Sequence, residues 1–312
     1  IPYDRAGAEC GDPLNRPMVY PPLSYWTMSW VRLFDSLRTA YFVWAEAIVS
    51  MTALSVWLVS RFESPKPSRW MWVVGLLLVG QMPMVYAIER GNIDSLVVLS
   101  FTLGSVLLAK RKAFTAGLVY SIACWMKVYP AIPSAMILVA VWFGGEERKR
   151  SFRGLLGGLV VGAIGGLVLL YPDSYHYLVE VLPKFSAEKG GFGLSSHTLF
   201  RGWPSLFFKI PILVVWTAFL ARLVRVDFVF GLSLALAIST FFQNLSNDYN
   251  LITAYPFLFL LAHRLLRRGM GWGDFGLLVL TFQALVGDRT LVEVLFPNRG
   301  ALLAQIAWFL VF

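Results

Sequence analysis

Asp94–Pro130 reads DSLVVLSFTLGSVLLAKRKAFTAGLVYSIACWMKVYP: two apolar runs hinged on the triplet Lys110-Arg111-Lys112. Each run approaches the roughly 20 residues that a helix needs to cross hydrocarbon. Lipid gives backbone N–H and C=O groups no partner, so such a run satisfies them only by coiling. A strand reading of the Val- and Leu-rich runs fails on that ground. The triplet cannot enter hydrocarbon cheaply, so it marks the turn of a helical hairpin.

Working outward, four more basic clusters separate alternate apolar runs. They are Arg61/Lys66/Arg69, Arg148/Lys149/Arg150/Arg153, Arg222/Arg225 and Arg264/Arg267/Arg268. The five clusters hold fifteen of the 27 Lys and Arg, and the intervening loops carry most of the Asp, Glu, Asn and His. This is the positive-inside pattern of a polytopic membrane protein. Spans are expected at 41–60, 70–88, 92–109, 113–129, 131–143, 154–171, 205–221, 228–243, 250–263 and 274–287, with a stub at 300–312. The fold class is all-α, with about ten or eleven membrane helices. Alternating them puts every basic cluster in the cytoplasm. Residues 1–40, the turns at 89–92 and 128–131, and the segments 172–204, 244–250 and 288–299 then lie outside.

The chain has 312 residues, 57% of them hydrophobic, and a net charge of +9. The charge belongs to topology: basic residues that cap apolar spans do not form the solvated basic face that nucleic acid needs. Cys10 lies in a polar loop and Cys124 mid-span, so they do not read as a disulfide pair. The opening segment IPYDRAGAECGDPLNRP is not a signal peptide, and the last apolar run is too short to span. Residues 1–312 read as one integral membrane domain cut at both ends, with a further helix expected upstream.

Two outer segments are more than loops. In Leu23–Arg38, Trp26, Trp30, Phe34 and Leu37 recur at helical spacing, which predicts an interfacial helix. Tyr175–Phe185 repeats the pattern with Leu178, Val179, Val181, Leu182 and Phe185; loop packing is the plainer alternative. The glycines of Gly154–Gly166 predict close helix packing.

Ionisable groups in or beside a membrane span are costly, so each is a functional candidate. Residues 89–94 read Glu-Arg-Gly-Asn-Ile-Asp, with almost no loop. Asn92 is a natural cap and Gly91 a natural turn residue, but that leaves Glu89, Arg90 and Asp94 unexplained, so the turn reads as a site wall. Lys127 precedes Val-Tyr129-Pro. It is either a snorkelling lysine, which on the outer face runs against the chain's own charge bias, or a fixed cation for a phosphate. His197 and Arg201, four apart in Ser-Ser-His-Thr-Leu-Phe-Arg, would share a helical face, with Lys184 and Lys189 before them. A solvated loop is the plainer reading there. Asp248 sits among turn-forming asparagines and reads as turn chemistry. Glu46 lies within the outer half of its span and should have a partner. No metal motif, P-loop or Rossmann glycine pattern is present, so neither ATP nor a nucleotide sugar is an expected ligand.

The order Tyr-Pro-Pro-Leu (20–23), Glu-Arg-Gly-Asn-Ile-Asp (89–94) and Ala-Gly-Leu…Lys-Val-Tyr-Pro (116–130) resembles glycosyltransferase family 87, over roughly residues 1–205. The Ser-Ser-His-Thr-Leu segment (195–199) is similar to an outer motif of that family. The resemblance implies a helical bundle of the GT-C type and a mannosyltransferase that takes its sugar from polyprenyl-phosphate-mannose. It implies an aspartate base shortly after the first membrane helix. Asp12 and Asp4 are the nearest outer carboxylates in this chain. Lys127, Arg90, His197 and Arg201 become candidates for the leaving phosphate, with Glu89, Asn92, Asp94 and Tyr129 lining the donor site. The expected partners are a lipid-phosphate sugar, a glycan or glycolipid acceptor and membrane lipid, with no bound cofactor and no nucleic acid. The place of action would be the plasma membrane, with the site facing out of the cytoplasm. The competing class is a flippase or transporter of lipid-linked glycans, which predicts polar residues at mid-membrane depth and inverted repeats. A structural subunit would lack an ordered site between its outer loops.

Overall fold

The computed structural model describes residues 20–63, 75, 78, 81–89, 91–144, 146–183, 205–239, 252–268, 271 and 273. Among these there is no strand. In chain order the elements are α1 (Pro22–Met28), a 3₁₀ turn (Ser29–Leu33), α2 (Leu37–Glu63), α3 (Met82–Glu89), α4 (Asp94–Ala109), α5 (Ala113–Met126), α6 (Ala131–Trp142), α7 (Glu146–Leu169), α8 (Asp173–His176) running into a π turn (Tyr177–Val181), α9 (Ser205–Val226), α10 (Phe228–Ser239) and α11 (Tyr255–Arg268). The predicted runs from 41 to 171 and from 205 to 263 are mostly helix where they are described, with ends trimmed by a few residues, as at 127–129 and 170–171. Spans 274–287 and 300–312 and most of 70–80 lie outside the described residues, so the helix total stays an expectation. Among the described residues, Leu37–Phe62 and Lys149–Leu169 are long and apolar enough to cross a membrane, and five shorter apolar helices accompany them.

The opening hairpin forms as the sequence predicts. α4 and α5 run antiparallel, and the Phe101 and Tyr120 rings stack with centroids 4.6 Å apart. The Tyr120 hydroxyl meets Ser105 Oγ at 2.9 Å, which satisfies both polar groups inside the bundle. The basic triplet makes the turn: Lys112 N–H donates to the Leu107 carbonyl and Arg111 N–H to the Leu108 carbonyl. That pairing is a Schellman end, and it needs one residue in the left-handed region. Arg111 takes that role at φ 63°. A side chain there costs about 1–2 kcal/mol. Arg111→Gly should therefore raise the unfolding free energy by about 1 kcal/mol, read as a higher melting temperature in detergent.

α7 lies parallel to α5, joined through α6, and its glycines set the spacing. An added Cβ at Gly154 would come 3.1 Å from Ala113 Cβ, and one at Gly166 would come 2.0 Å from Trp125 Nε1. The glycine-rich stretch thus closes against one neighbour along its length. α2 runs parallel to α4: Trp44 meets Gly91 at one end, and Val59 shares an apolar cluster with Ala109 at the other. There Val229 and Leu260 join them, Asp227 pairs with Arg264, and Ala221 and Val224 meet Ala140. One end of the bundle therefore carries Arg61, the 110–112 triplet, Lys149 to Arg153, Arg222 and Arg264. This is the basic end; the turns at 91–94 and 127–130 lie at the far end.

α10 is buried on all sides through Leu232, Leu234, Leu236 and Ile238, and α11 through Tyr255, Leu258 and Leu260. By contrast α7 exposes Val160, Val161, Ile164 and Val168, and α9 exposes Ile210, Val214, Val215 and Phe219. Apolar faces this extensive fit a lipid solvent. Glu46, expected to have a partner, stands exposed on α2.

The two interfacial helices are more broken than the periodicity implies. α1 ends at Met28, a 3₁₀ turn follows, and Leu37 and Arg38 already belong to α2. Ser36 starts α2 by accepting the Ala40 N–H at its carbonyl and the Thr39 N–H at its hydroxyl. The predicted stripe consequently splits: Trp26 and Leu37 are 62% and 83% exposed, whereas Trp30 turns onto Trp44, with centroids 5.5 Å apart. In the second segment Ser174 and Tyr177 are buried, while Leu178 and Val179 are exposed. Phe185 lies outside the described residues.

Candidate functional site

The far end is built from helix termini. α3 closes in a second Schellman end, with Asn92 N–H donating to the Ala87 carbonyl and Gly91 N–H to the Ile88 carbonyl. Gly91 supplies the left-handed residue at φ 58° without a Cβ to clash. Its carbonyl accepts the Trp44 indole N–H at 3.0 Å. Asn92 Oδ1 then accepts the Asp94 N–H at 3.1 Å, a side-chain turn of the Asx kind rather than a regular N-cap. α4 starts on Asp94, where the partial positive charge of a helix N-terminus favours a carboxylate.

α5 ends at Met126, and Lys127 leaves the helix with an extended backbone (φ −148°, ψ 151°). Pro130 disfavours helical geometry in the residue before it, which helps to hold the turn open. A cation suits a helix C-terminus as an anion suits an N-terminus. Because α4 and α5 are antiparallel, the two complementary charges meet. Lys127 Nζ donates to Asp94 Oδ2 at 3.0 Å and lies 3.0 Å from Oδ1. The Tyr129 hydroxyl donates to Oδ1 at 2.9 Å. The pair is buried, with side-chain exposures of 9% for Lys127 and 0% for Asp94.

The Tyr-Pro-Pro-Leu segment completes the cluster. The Tyr20 ring centroid lies 5.1 Å from Lys127 Nζ, within reach of a cation–π attraction. Ser24 Oγ donates to the Met126 carbonyl, tying α1 to the end of α5. Burial pushes the Tyr25 phenol up against a smaller downward pull from a hydrogen bond with the Tyr20 backbone, and burial alone raises Tyr177. Both phenols therefore stay protonated at neutral pH. Three segments distant in sequence thus converge on one ammonium–carboxylate pair.

Of the expected site residues, the structure brings Asn92, Asp94, Lys127 and Tyr129 together. Lys127, expected as a snorkelling lysine or a fixed cation for a phosphate, is ion-paired, because the register of the hairpin sets Asp94 opposite it. Asp4, Asp12, Arg90, His197 and Arg201 lie outside the described residues, as do Lys184, Lys189 and Asp248; of Glu89 only the backbone is described. Ser24 and Trp44 were not anticipated. Ser24 directly follows the quoted Tyr-Pro-Pro-Leu motif, which was a usable signal; Trp44 had none. Among the described residues no three His, Cys, Asp or Glu gather as a metal site would require.

A helical bundle with exposed apolar faces and a polar cluster at one end defines an all-helical protein with a candidate site between helix termini. The sequence pattern of Glycosyltransferase family 87 matches residues 18–263, and the chain belongs to that family. It is therefore a glycosyltransferase, of a family of membrane proteins. No curated protein and no solved structure matches it.

Proposed function

We propose that this enzyme moves a hexose, mannose first among the choices, from a polyprenyl-phosphate sugar to a glycan or glycolipid acceptor outside the cytoplasm. The observation that carries the reading is the convergence of Tyr20, Asp94, Lys127 and Tyr129 at the end opposite the basic clusters. The positive-inside rule favours placing that end outside. Nucleotide sugars are not expected there, so a lipid-borne phosphate is the natural donor.

The chemistry is inverting transfer. One carboxylate takes the proton from the acceptor hydroxyl as that oxygen attacks the sugar's anomeric carbon. The bond to phosphate breaks on the opposite face, and the phosphate leaves as a weak base that needs a cation more than an acid. Asp12 and Asp4 are the candidates for the base. Lys127, Arg90, His197 and Arg201 are those for the phosphate, with Glu89, Asn92, Asp94 and Tyr129 around it. Full-length protein in membranes, given radiolabelled polyprenyl-phosphate-mannose, should move label into a glycan or glycolipid fraction. Folded protein that transfers from no polyprenyl-phosphate sugar would overturn the reading.

A further inference from the structure

Asp94 is the most enclosed charge among the described residues, at 0% exposure. Lys127 Nζ spans its carboxylate at 3.0 Å from each oxygen, Tyr129 adds a hydroxyl at 2.9 Å, and Asn92 fixes its amide at 3.1 Å. So enclosed a group does not touch a lipid-borne sugar unless the cluster opens. Lys127 does keep an accessible edge, 9% of its side chain, and the Tyr20 ring flanks its head at 5.1 Å.

We propose that Asp94 is a positioning residue of the transfer reaction. It acts through Lys127, seating the ammonium for the donor phosphate before the donor arrives, and does not itself touch substrate. The proposal rests on the lipid-phosphate reading above. A lysine head rides on a flexible four-carbon stem, and ordering that stem at the moment of binding costs entropy. A carboxylate that orders it beforehand removes that cost. The same pairing weakens the ammonium's pull on a resting phosphate, so its benefit falls on the transition state, where charge on the leaving phosphate grows.

The consequence is a split in the kinetics. Asp94→Asn should lower kcat roughly 30-fold, in line with the cost of ångström-scale misplacement, and leave the donor KM unchanged or lower. Lys127→Met should raise the donor KM as well as lower kcat. The double variant should be no worse than Lys127→Met alone, since a residue that acts through another loses its effect once that other is gone. A merely structural Asp94 would reduce the folded fraction and leave kcat per folded molecule intact. Should Asp94→Asn not fold, Lys127→Arg asks the same question, because it keeps the charge in a head that cannot take the same seat. It should lose kcat with donor KM within about threefold.

Wild-type kcat in folded Asp94→Asn, or in Lys127→Arg where that variant is needed, overturns the proposal. So does a double variant whose loss multiplies those of the singles. A wild type that uses no polyprenyl-phosphate sugar overturns the donor reading and this proposal together. An active wild type with unsplit Asp94→Asn kinetics overturns this proposal alone.

Discussion

Gly158→Leu should leave little folded protein. A Cβ at position 158 would sit 2.0 Å from the Phe114 carbonyl oxygen, 2.9 Å from its carbon and 3.0 Å from Gly117 Cα. All three are backbone atoms of α5, so no side chain can swing aside. Gly117 reciprocates, with its own Cβ landing 2.3 Å from the Leu155 carbonyl oxygen. The helices must separate, and every contact from Gly154 to Gly166 loosens with them. In lipid, close packing of this kind is much of what holds two helices together. We expect a loss above about 4 kcal/mol, in the range reserved for gross overpacking. Gly165→Leu, in the same helix, is the control: a Cβ there meets nothing within 4 Å. Size exclusion and thermal unfolding in detergent read both variants, and a wild-type melting temperature for Gly158→Leu would refute the packing argument.

The second large effect concerns the ion pair as a matter of stability. Lys127→Met removes the cation beside a carboxylate that is 0% exposed and breaks that buried pair on one side. Breaking a buried pair on one side costs about 3–5 kcal/mol, whereas replacing both partners by neutral groups is often close to neutral. Lys127→Met should therefore melt well below wild type, and Asp94→Asn/Lys127→Met should recover most of the loss. Removing Tyr129's hydroxyl bond by Tyr129→Phe should cost about 1–3 kcal/mol, as expected for a hydrogen bond to a charged group. If the double variant melts no higher than Lys127→Met, the pair is not what stabilises the far end.

The helices were legible because length, apolar content and flanking charge are local properties. The run predicted at 113–129 became Ala113–Met126, and that at 131–143 became Ala131–Trp142. What the sequence hid were facts of register. The partner of Lys127 lies 33 residues away, so no local pattern names it. Yet Asp94 and Lys127 stand almost equally far along the chain from the Lys110–Arg111 turn, so folding the hairpin in half would have paired them. Periodicity alone made one helix of Leu23–Arg38, because Trp26, Trp30, Phe34 and Leu37 keep the spacing through a break. Ser36's capping bonds, which start α2, are a backbone event that no apolar pattern records. Trp44's bond to Gly91 depends on how α2 lies against the α3–α4 turn, and nothing around residue 44 announces it.

The relative heights of the helices have a bearing on which molecules reach the site. α2 begins at Leu37 but meets the Gly91 turn only at Trp44, about 10 Å further in at 1.5 Å per residue. The first two turns of α2 therefore rise beyond the level of the Gly91 turn. On the lipid-phosphate reading proposed above, a donor phosphate at headgroup depth would approach the Asp94–Lys127 level sideways, by diffusion in the leaflet. A water-borne competitor would have to come down past those turns. On that reading, selection between the two would begin with altitude, before any side chain recognises anything.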